Sequence, residues 1–475
     1  MRVGRPDLTL TGNAGMAAVT ELLDRLDVVG LLDAAIGPIK QRDRGFGAGE
    51  LLVGIAAAQL AGQDFLVGLD RERADAAGQL LAPVPGLAST TAAGLARRFT
   101  AEQWRAVESG LAAVNERMLT LLAPPRAGAL CDQGATIDLD TTDVEVYGRK
   151  KERVDYNYQG QRAGRPHVAI WAETETPLAA DLGGGRDDPR ADAHELLARA
   201  LAGLPRRIRP QRVRLRADAG YFAGRLARAA HAAGIGFAIG AKRVAPLWRL
   251  LDGIAETRWA DAKDMDDAQV AVANYTPADW PEGTRLLIRR VRLIPDQISA
   301  DARSRRRRTL RPEQRILPMD QIADLDAIYG YSFIATNLDV STPEQAVTVE
   351  HWYRHRTTVE NVFRDSKHGA ALRHLPSGYH QVNTAWMWGA LLAAGLAGWC
   401  HQLTATRTDD DTGIATGHGV DGGKAMIATL RRRLIAVPGR VIRHARTLTL
   451  RLPPGHDLLE TILDRIRALP DPAPG

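Results

Sequence analysis

The stretch ATIDLDTT (residues 135–142) alternates apolar and polar side chains at the period of a strand, with Ile137 and Leu139 on one face and Asp138 and Asp140 on the other. Short β-rich runs continue from it: DVEVYG up to residue 148, RPHVAIWAE (165–173) and PLAADL (177–182). A helical pattern ADAHELLARALAGL (191–204) follows, then a strand RVRLRAD (212–218), a helix FAGRLARAAHAAG (222–234) and a strand GFAIGA (236–241). Strands alternating with helices predict a mixed α/β sheet.

Upstream, residues 1–125 read as mostly helical, through MAAVTELLDRLDVVGLLDAAIG (16–37), GELLVGIAAAQLAG (49–62) and a third pattern capped at Ser89, Thr90 and Thr91. Pro124–Pro125 predicts the boundary of that region. Downstream the alternation breaks. β-like pieces such as TRLLIRRVRLI (284–294) surround the basic loop ADARSRRRRTLR (300–311). The strand YSFIATNL (331–338) leads into one long helix from about Pro343 to His368. AWMWGALLAAGLAGWC (385–400) is 16 residues, short of the roughly 20 that span a bilayer, and reads as a buried helix. A Gly/Asp loop (406–423), a basic tail ending in TLTLRL (447–452) and a last helix complete the chain.

With 475 residues, 45% hydrophobic and 25% charged, the chain can bury a large core, which excludes a mainly disordered protein. Cys131 and Cys400 are too few for a disulfide framework or a four-ligand zinc site. The start MRVGRPDLTL has no apolar leader core, so a cytoplasmic protein with no membrane role is expected.

Lys and Arg number 62 against 56 Asp and Glu, and only seven of the 62 are Lys. The charge is concentrated. Residues 285–315 hold eleven Arg against Asp296, Asp301 and Glu313, a net of +8 beside +6 for the whole chain. Residues 424–451 hold eight Lys or Arg and no acid. Two concentrated basic segments suit a phosphate-tracking surface.

The sharpest chemical signal is HWYRHRTTVENVFRDSKHG (351–369). At about 100° per residue, Tyr353, Arg356, Glu360 and Lys367 fall in one stripe about 60° wide on a continuous helix. A phenol, a carboxylate and two cations on one face call for a charged partner, such as a DNA backbone with bound metal. Asp138 and Asp140 add carboxylates on a strand, and Asp218 adds one at a strand end, where α/β sites form. Carboxylates from β, β and α elements suit two Mg²⁺ ions, which favour oxygen ligands.

IDLDTT, RADAGYF and Y-x2-R-x3-E-x6-K, in this order and spacing, resemble the DDE transposases of bacterial insertion sequences, within them the cut-and-paste branch with a YREK signature. YGRKKERVDYNYQGQRAGRPHVAIW, with its Gly- and Tyr-containing turn, is similar to the same proteins. The resemblance implies a ribonuclease-H-like catalytic core, a mixed sheet with helices, interrupted by a β-rich insertion and flanked by helical N- and C-terminal regions. It divides the chain into a helical DNA-binding region (1–125), a first core part (130–242), the insertion with its basic loop (243–330), a second core part with the Glu helix (331–403) and a basic helical C-terminal region (404–475).

The resemblance further implies a triad of Asp140, Asp218 and Glu360 holding two Mg²⁺, with Mn²⁺ as a substitute, and Tyr353, Arg356 and Lys367 at the phosphates. Asp140 is favoured over Asp138 as the first carboxylate because a Thr follows it; the other is left to stand behind it or to pair with an Arg. The implied activity is binding of terminal inverted repeats, cleavage of their phosphodiesters and joining of the 3′-OH ends to target DNA, by a homodimer. A DNA-binding protein that has lost catalysis and a nuclease without strand transfer are the rival readings. A glycosidase leaves the cationic stripe and basic segments unexplained.

Weaker features carry two readings each. Thr90, Thr91, Arg97 and Arg98 suit either a recognition helix or a packing helix. Arg303 and Arg305, Arg306, Arg307 and Arg308 are expected to contact DNA. Trp259 and Trp280 suit a flipped base or, more simply, the core. Arg431, Arg432 and Arg433 suit a DNA channel or a subunit interface, and His351 and His355 an exposed face.

Overall fold

The computed structural model describes residues 1–470 apart from 43, 302, 326, 406, 409–414, 417–423 and 446, so most of the Gly/Asp loop lies outside the described residues. We number the elements of the central core. The strands are β1 (Ala135–Thr141), β2 (Arg162–Trp171), β3 (Thr176–Gly184), β4 (Val213–Ala217), β5 (Gly236–Gly240), β6 (Ala268–Ala273), β7 (Arg285–Leu293) and β8 (Ile328–Thr336). The helices are α1 (Pro189–Ala202), α2 (Gly224–Ala232), α3 (Pro343–Arg354), α4 (Thr357–His368) and α5 (His380–Thr404).

β3, β2 and β1 form an antiparallel meander, and β1, β4 and β5 run parallel, joined through α1 and α2 as helical crossovers. The resulting order, β3-β2-β1-β4-β5, is the ribonuclease-H-like arrangement implied by the resemblance. The sheet does not stop there. β8 pairs antiparallel with β5, β7 with β8 and β6 with β7, so the β-rich stretch after residue 242 extends the same sheet. The basic loop hangs between β7 and β8.

Inside this frame β1 is buried for its first five residues, with Ile137 and Leu139 fully enclosed in the core. α5 is buried from Val382 to Thr404 and lies against the Ala48–Ala61 helix and β3. Gly389 permits that approach, since a Cβ there would meet the Ile55 side chain at 2.5 Å. Among the described residues no helix is long and apolar enough to cross a membrane.

Three expectations change. Pro124–Pro125 opens a helix, Pro124–Gln133, because proline suits a first turn whose N–H groups have no partner. The C-terminal region is not wholly helical: Gly439–His444 and Thr447–Arg451 form a hairpin that pairs with Leu10–Thr11, following the period-two alternation of TLTLR. The long helix is interrupted at His355–Arg356, for a reason that lies in the site.

Candidate active site

β1 and β4 are parallel neighbours with Leu139 opposite Ala217, so the next residues, Asp140 and Asp218, stand side by side at the C-terminal edge of the sheet. Each is anchored by a backbone N–H. Thr141 N donates to Asp140 Oδ1 at 2.8 Å, and Gly220 N donates to Asp218 Oδ1 at 2.7 Å. Both line a cavity of about 840 Å³ with Asp143, Tyr156, Tyr158, Arg165, Tyr221 and Lys242. The Asp140 carboxyl is pushed up to about 6, chiefly by burial and also by Asp218, with Arg356 opposing.

Asp138 faces the same way as Asp140 but is fully buried and closed off. Arg216 donates to it bidentately, through Nε at 2.7 Å and Nη2 at 2.8 Å. Of the two places left open for the second carboxylate, this is pairing with an Arg. The pair also shapes the helix. Arg216 Nη1 donates to the Trp352 carbonyl at 2.6 Å, an oxygen that a continuous helix would give to the N–H of Arg356. His355 N instead reaches Trp352 O, and Arg356 N reaches Tyr353 O, both one residue short of α-helical spacing. A side chain inserted into the helical ladder is a recognised cause of such a break.

The break re-aims the signature residues. The Tyr353 hydroxyl donates to Ala217 O at 3.1 Å, against the end of β4, and burial raises its pKa to about 12. Arg356, at the junction, donates to Asp140 Oδ2 at 2.9 Å and to Glu360 Oε1 at 3.4 Å. Burial works against its charge, but Asp140, Tyr353 and Asp218 raise its pKa overall. Glu360 remains 57% exposed. Lys367 Nζ donates to the Asp143 carbonyl at 2.8 Å, and burial lowers its pKa. The stripe that called for a charged partner finds protein partners along much of its length.

The donor chemistry suits a hard cation at the paired carboxylates Asp140 and Asp218. The buried Tyr221 hydroxyl, on the wall of the same cavity, has no hydrogen-bond partner among the described residues. Glu360 reaches Asp140 through Arg356 rather than directly, and among the described residues no three His, Cys, Asp or Glu side chains converge as a metal cage.

The basic loop divides. Arg305, Arg306 and Arg308 are exposed, as is Arg303. Arg307 departs from the expected phosphate contact: it is 4% exposed and donates to the carbonyls of Ser299, Arg315 and Leu317. One buried guanidinium satisfies the carbonyls of a loop that lacks its own ladder.

Several of the other candidates are engaged by the fold. Trp280 is buried against Phe222 and Phe237, and the Arg290 guanidinium lies 4.2 Å over Trp259. Arg431 donates to the carbonyls of Gln59, Leu60 and Gly369, closing the end of the Ala48–Ala61 helix. His351 pairs with Asp264 at 3.0 Å, and His355 Nδ1 approaches the His351 carbonyl at 2.7 Å. Thr90, Thr91, Arg97 and Arg98 lie exposed on or just past the Ser89–Ala96 helix, with Arg97 stacked on Tyr379 at 3.9 Å. Sequence reasoning missed Asp143, Arg165, Tyr221 and Lys242 as neighbours of the site. Asp143, in the loop just after β1, and Arg165, on β2, form an ion pair at 2.7 Å, and the Tyr-rich turn before β2 was the available signal.

Comparison with known proteins identifies a family. The profile of a family described as Transposase DDE domain group 1 matches residues 7–298 and 321–471. The interval between the two segments contains Arg303 to Arg308. Among solved structures the chain is similar to the cryo-EM structure of a piggyBac transposase synaptic complex with hairpin DNA. Identity is 11%, the match covers 96% of this chain and 86% of that one, and the TM-score is 0.37. No curated protein matches.

Proposed function

The chain belongs to the group 1 family of transposase DDE domains, and from that premise we propose that it cuts and joins the DNA ends of its own mobile element. The observation that carries the proposal is the pairing of Asp140 with Asp218 at the sheet edge, with Arg356 linking Asp140 to Glu360. Asp140, Asp218 and Glu360 are the residues that would hold two divalent ions, Mg²⁺ or Mn²⁺, which supply activation of the attacking oxygen and stabilisation of the leaving one.

The protein's own groups do the positioning. Asp140 and Asp218, each fixed by a backbone N–H, present a rigid anionic pair. Tyr353 braces the end of β4, and Arg356 and Lys367 supply positive charge toward the phosphates flanking the scissile bond. Arg305, Arg306 and Arg308 extend the cationic surface to the DNA backbone. Hydrolysis frees a 3′-OH, which the same site then directs at target DNA. Two copies of the chain hold the two ends, each copy acting on one.

The test is a joining assay on the full chain, with labelled DNA carrying the gene's flanking sequences, a target plasmid and Mg²⁺. Labelled ends joined to the plasmid support the proposal. Cut ends that never join favour a nuclease, and specific binding without cutting favours a protein that has lost catalysis.

A further inference from the structure

Trp259 and Trp280 take the simpler of their two readings and are engaged in the fold, yet exposed aromatic surface borders the cavity. It belongs to the turn between β1 and β2. Tyr147, Tyr156 and Tyr158 are 87%, 54% and 86% exposed, and Tyr156 and Tyr158 line the cavity that holds Asp140 and Asp218. Rings presented this openly gain little from the fold, since burial is what makes an aromatic side chain stabilising.

The turn that displays them is well anchored. Asn157, between the two tyrosines, is 6% exposed. Its Oδ1 accepts from the N–H groups of Gln159 and Gln161 at 3.0 and 2.9 Å, and its Nδ2 donates to Asp143 at 2.9 Å. Asp143 also pairs with Arg165, and its carbonyl accepts from Lys367 on α4. The rings are therefore held on the same frame as the helix that carries Glu360.

Charge points the same way. Residues 147–162 hold Arg149, Lys150, Lys151, Arg153 and Arg162 against Glu152 and Asp155, a net of +3. Arg149, Lys150 and Arg153 are exposed. Aromatic faces interleaved with cations form a stacking platform for single-stranded nucleic acid, because every base has a π-face and every nucleotide a phosphate. In a closed duplex those faces already stack on one another.

Building on the DNA-cutting reading above, we propose that Tyr156 and Tyr158 form a stacking platform for unpaired bases at the DNA end that enters the Asp140–Asp218 cavity. Asn157 is the positioning residue that holds the platform.

The experiment compares the full-length protein's affinity for two duplexes of the same flanking sequence, one fully paired and one mismatched over its last few base pairs. The wild type is expected to prefer the mismatched end by roughly tenfold. The double variant Tyr156→Ala, Tyr158→Ala should bind both alike, whereas Tyr156→Phe, Tyr158→Phe should keep the preference. Both pairs alter exposed side chains, and a thermal melt confirms that they fold. Equal wild-type affinity for the two duplexes, or a preference that survives both alanines, overturns the platform while salt-sensitive duplex binding leaves the DNA-cutting reading standing. A wild type that binds neither duplex overturns both.

Discussion

Arg356 donates to Asp140 across 2.9 Å, joining the turn between α3 and α4 to the C-terminal end of β1. Its charge offsets the repulsion between Asp140 and its neighbour Asp218, and the same guanidinium reaches Glu360. Both partners are nearly buried, with side chains 16% and 15% exposed, so the pair is worth more than a surface contact. Arg356→Gln should destabilise the protein by about 3 kcal/mol in urea denaturation. Mg²⁺ should then raise the variant's melting temperature more than the wild type's. An equal response in the two proteins would argue against a cation-binding carboxylate pair.

Asp138 and Arg216 act on the site at second hand, through the Trp352 carbonyl. Arg216→Met strands a buried carboxylate and should cost roughly 3–5 kcal/mol. Adding Asp138→Leu should recover most of that stability without recovering DNA cleavage, because the helix turn that aims Arg356 has lost its donor. Recovery of both together would show that the pair is only structural.

Within the basic loop the four consecutive arginines separate by role. Replacing Arg305, Arg306 and Arg308 by Ala should leave the melting temperature nearly unchanged and reduce the salt dependence of DNA binding by about 0.9 in log–log slope for each phosphate no longer neutralised. Arg307→Ala should do the reverse, costing roughly 2 kcal/mol with the slope unchanged. Filter-binding titrations across salt, paired with thermal melts, distinguish the two patterns.

Glu108 gives a pH signature away from the site. Burial pushes its carboxyl up from 4.5 to about 7, against the pull of Arg199. The folded protein thus holds a proton that the unfolded chain releases, so this contribution to stability is full below 4.5 and is lost as pH rises through about 7. Relative to Glu108→Gln, the wild type should lose stability over that window, on the order of 3 kcal/mol in total. A difference between the two that does not vary with pH would contradict the assignment.

The core strands were legible because their signals are local. Period-two alternation marks β1, and the strand–helix alternation through β5 implies crossovers that bring the ends of β1 and β4, with Asp140 and Asp218, to one edge. The break at His355–Arg356 was not legible. No Pro or Gly marks it, and its cause, Arg216, lies more than a hundred residues earlier in the chain. Arg307 was equally hidden, since four identical neighbours carry no sign of which one turns inward. Asp143 and Arg165 come together only once β1 and β2 are paired, and the exposure of Tyr156 and Tyr158 depends on Asn157 being anchored beneath them.

The measurement that bears most directly on the central claim is strand cleavage of DNA carrying the gene's own flanking sequences, with Mg²⁺, comparing wild type with Glu360→Gln. Glu360 is exposed, so the substitution leaves the fold intact. The account predicts cleavage at a defined end by the wild type, none by the variant and nearly equal end binding by both. A Glu360→Gln protein that cuts as well as the wild type would contradict it.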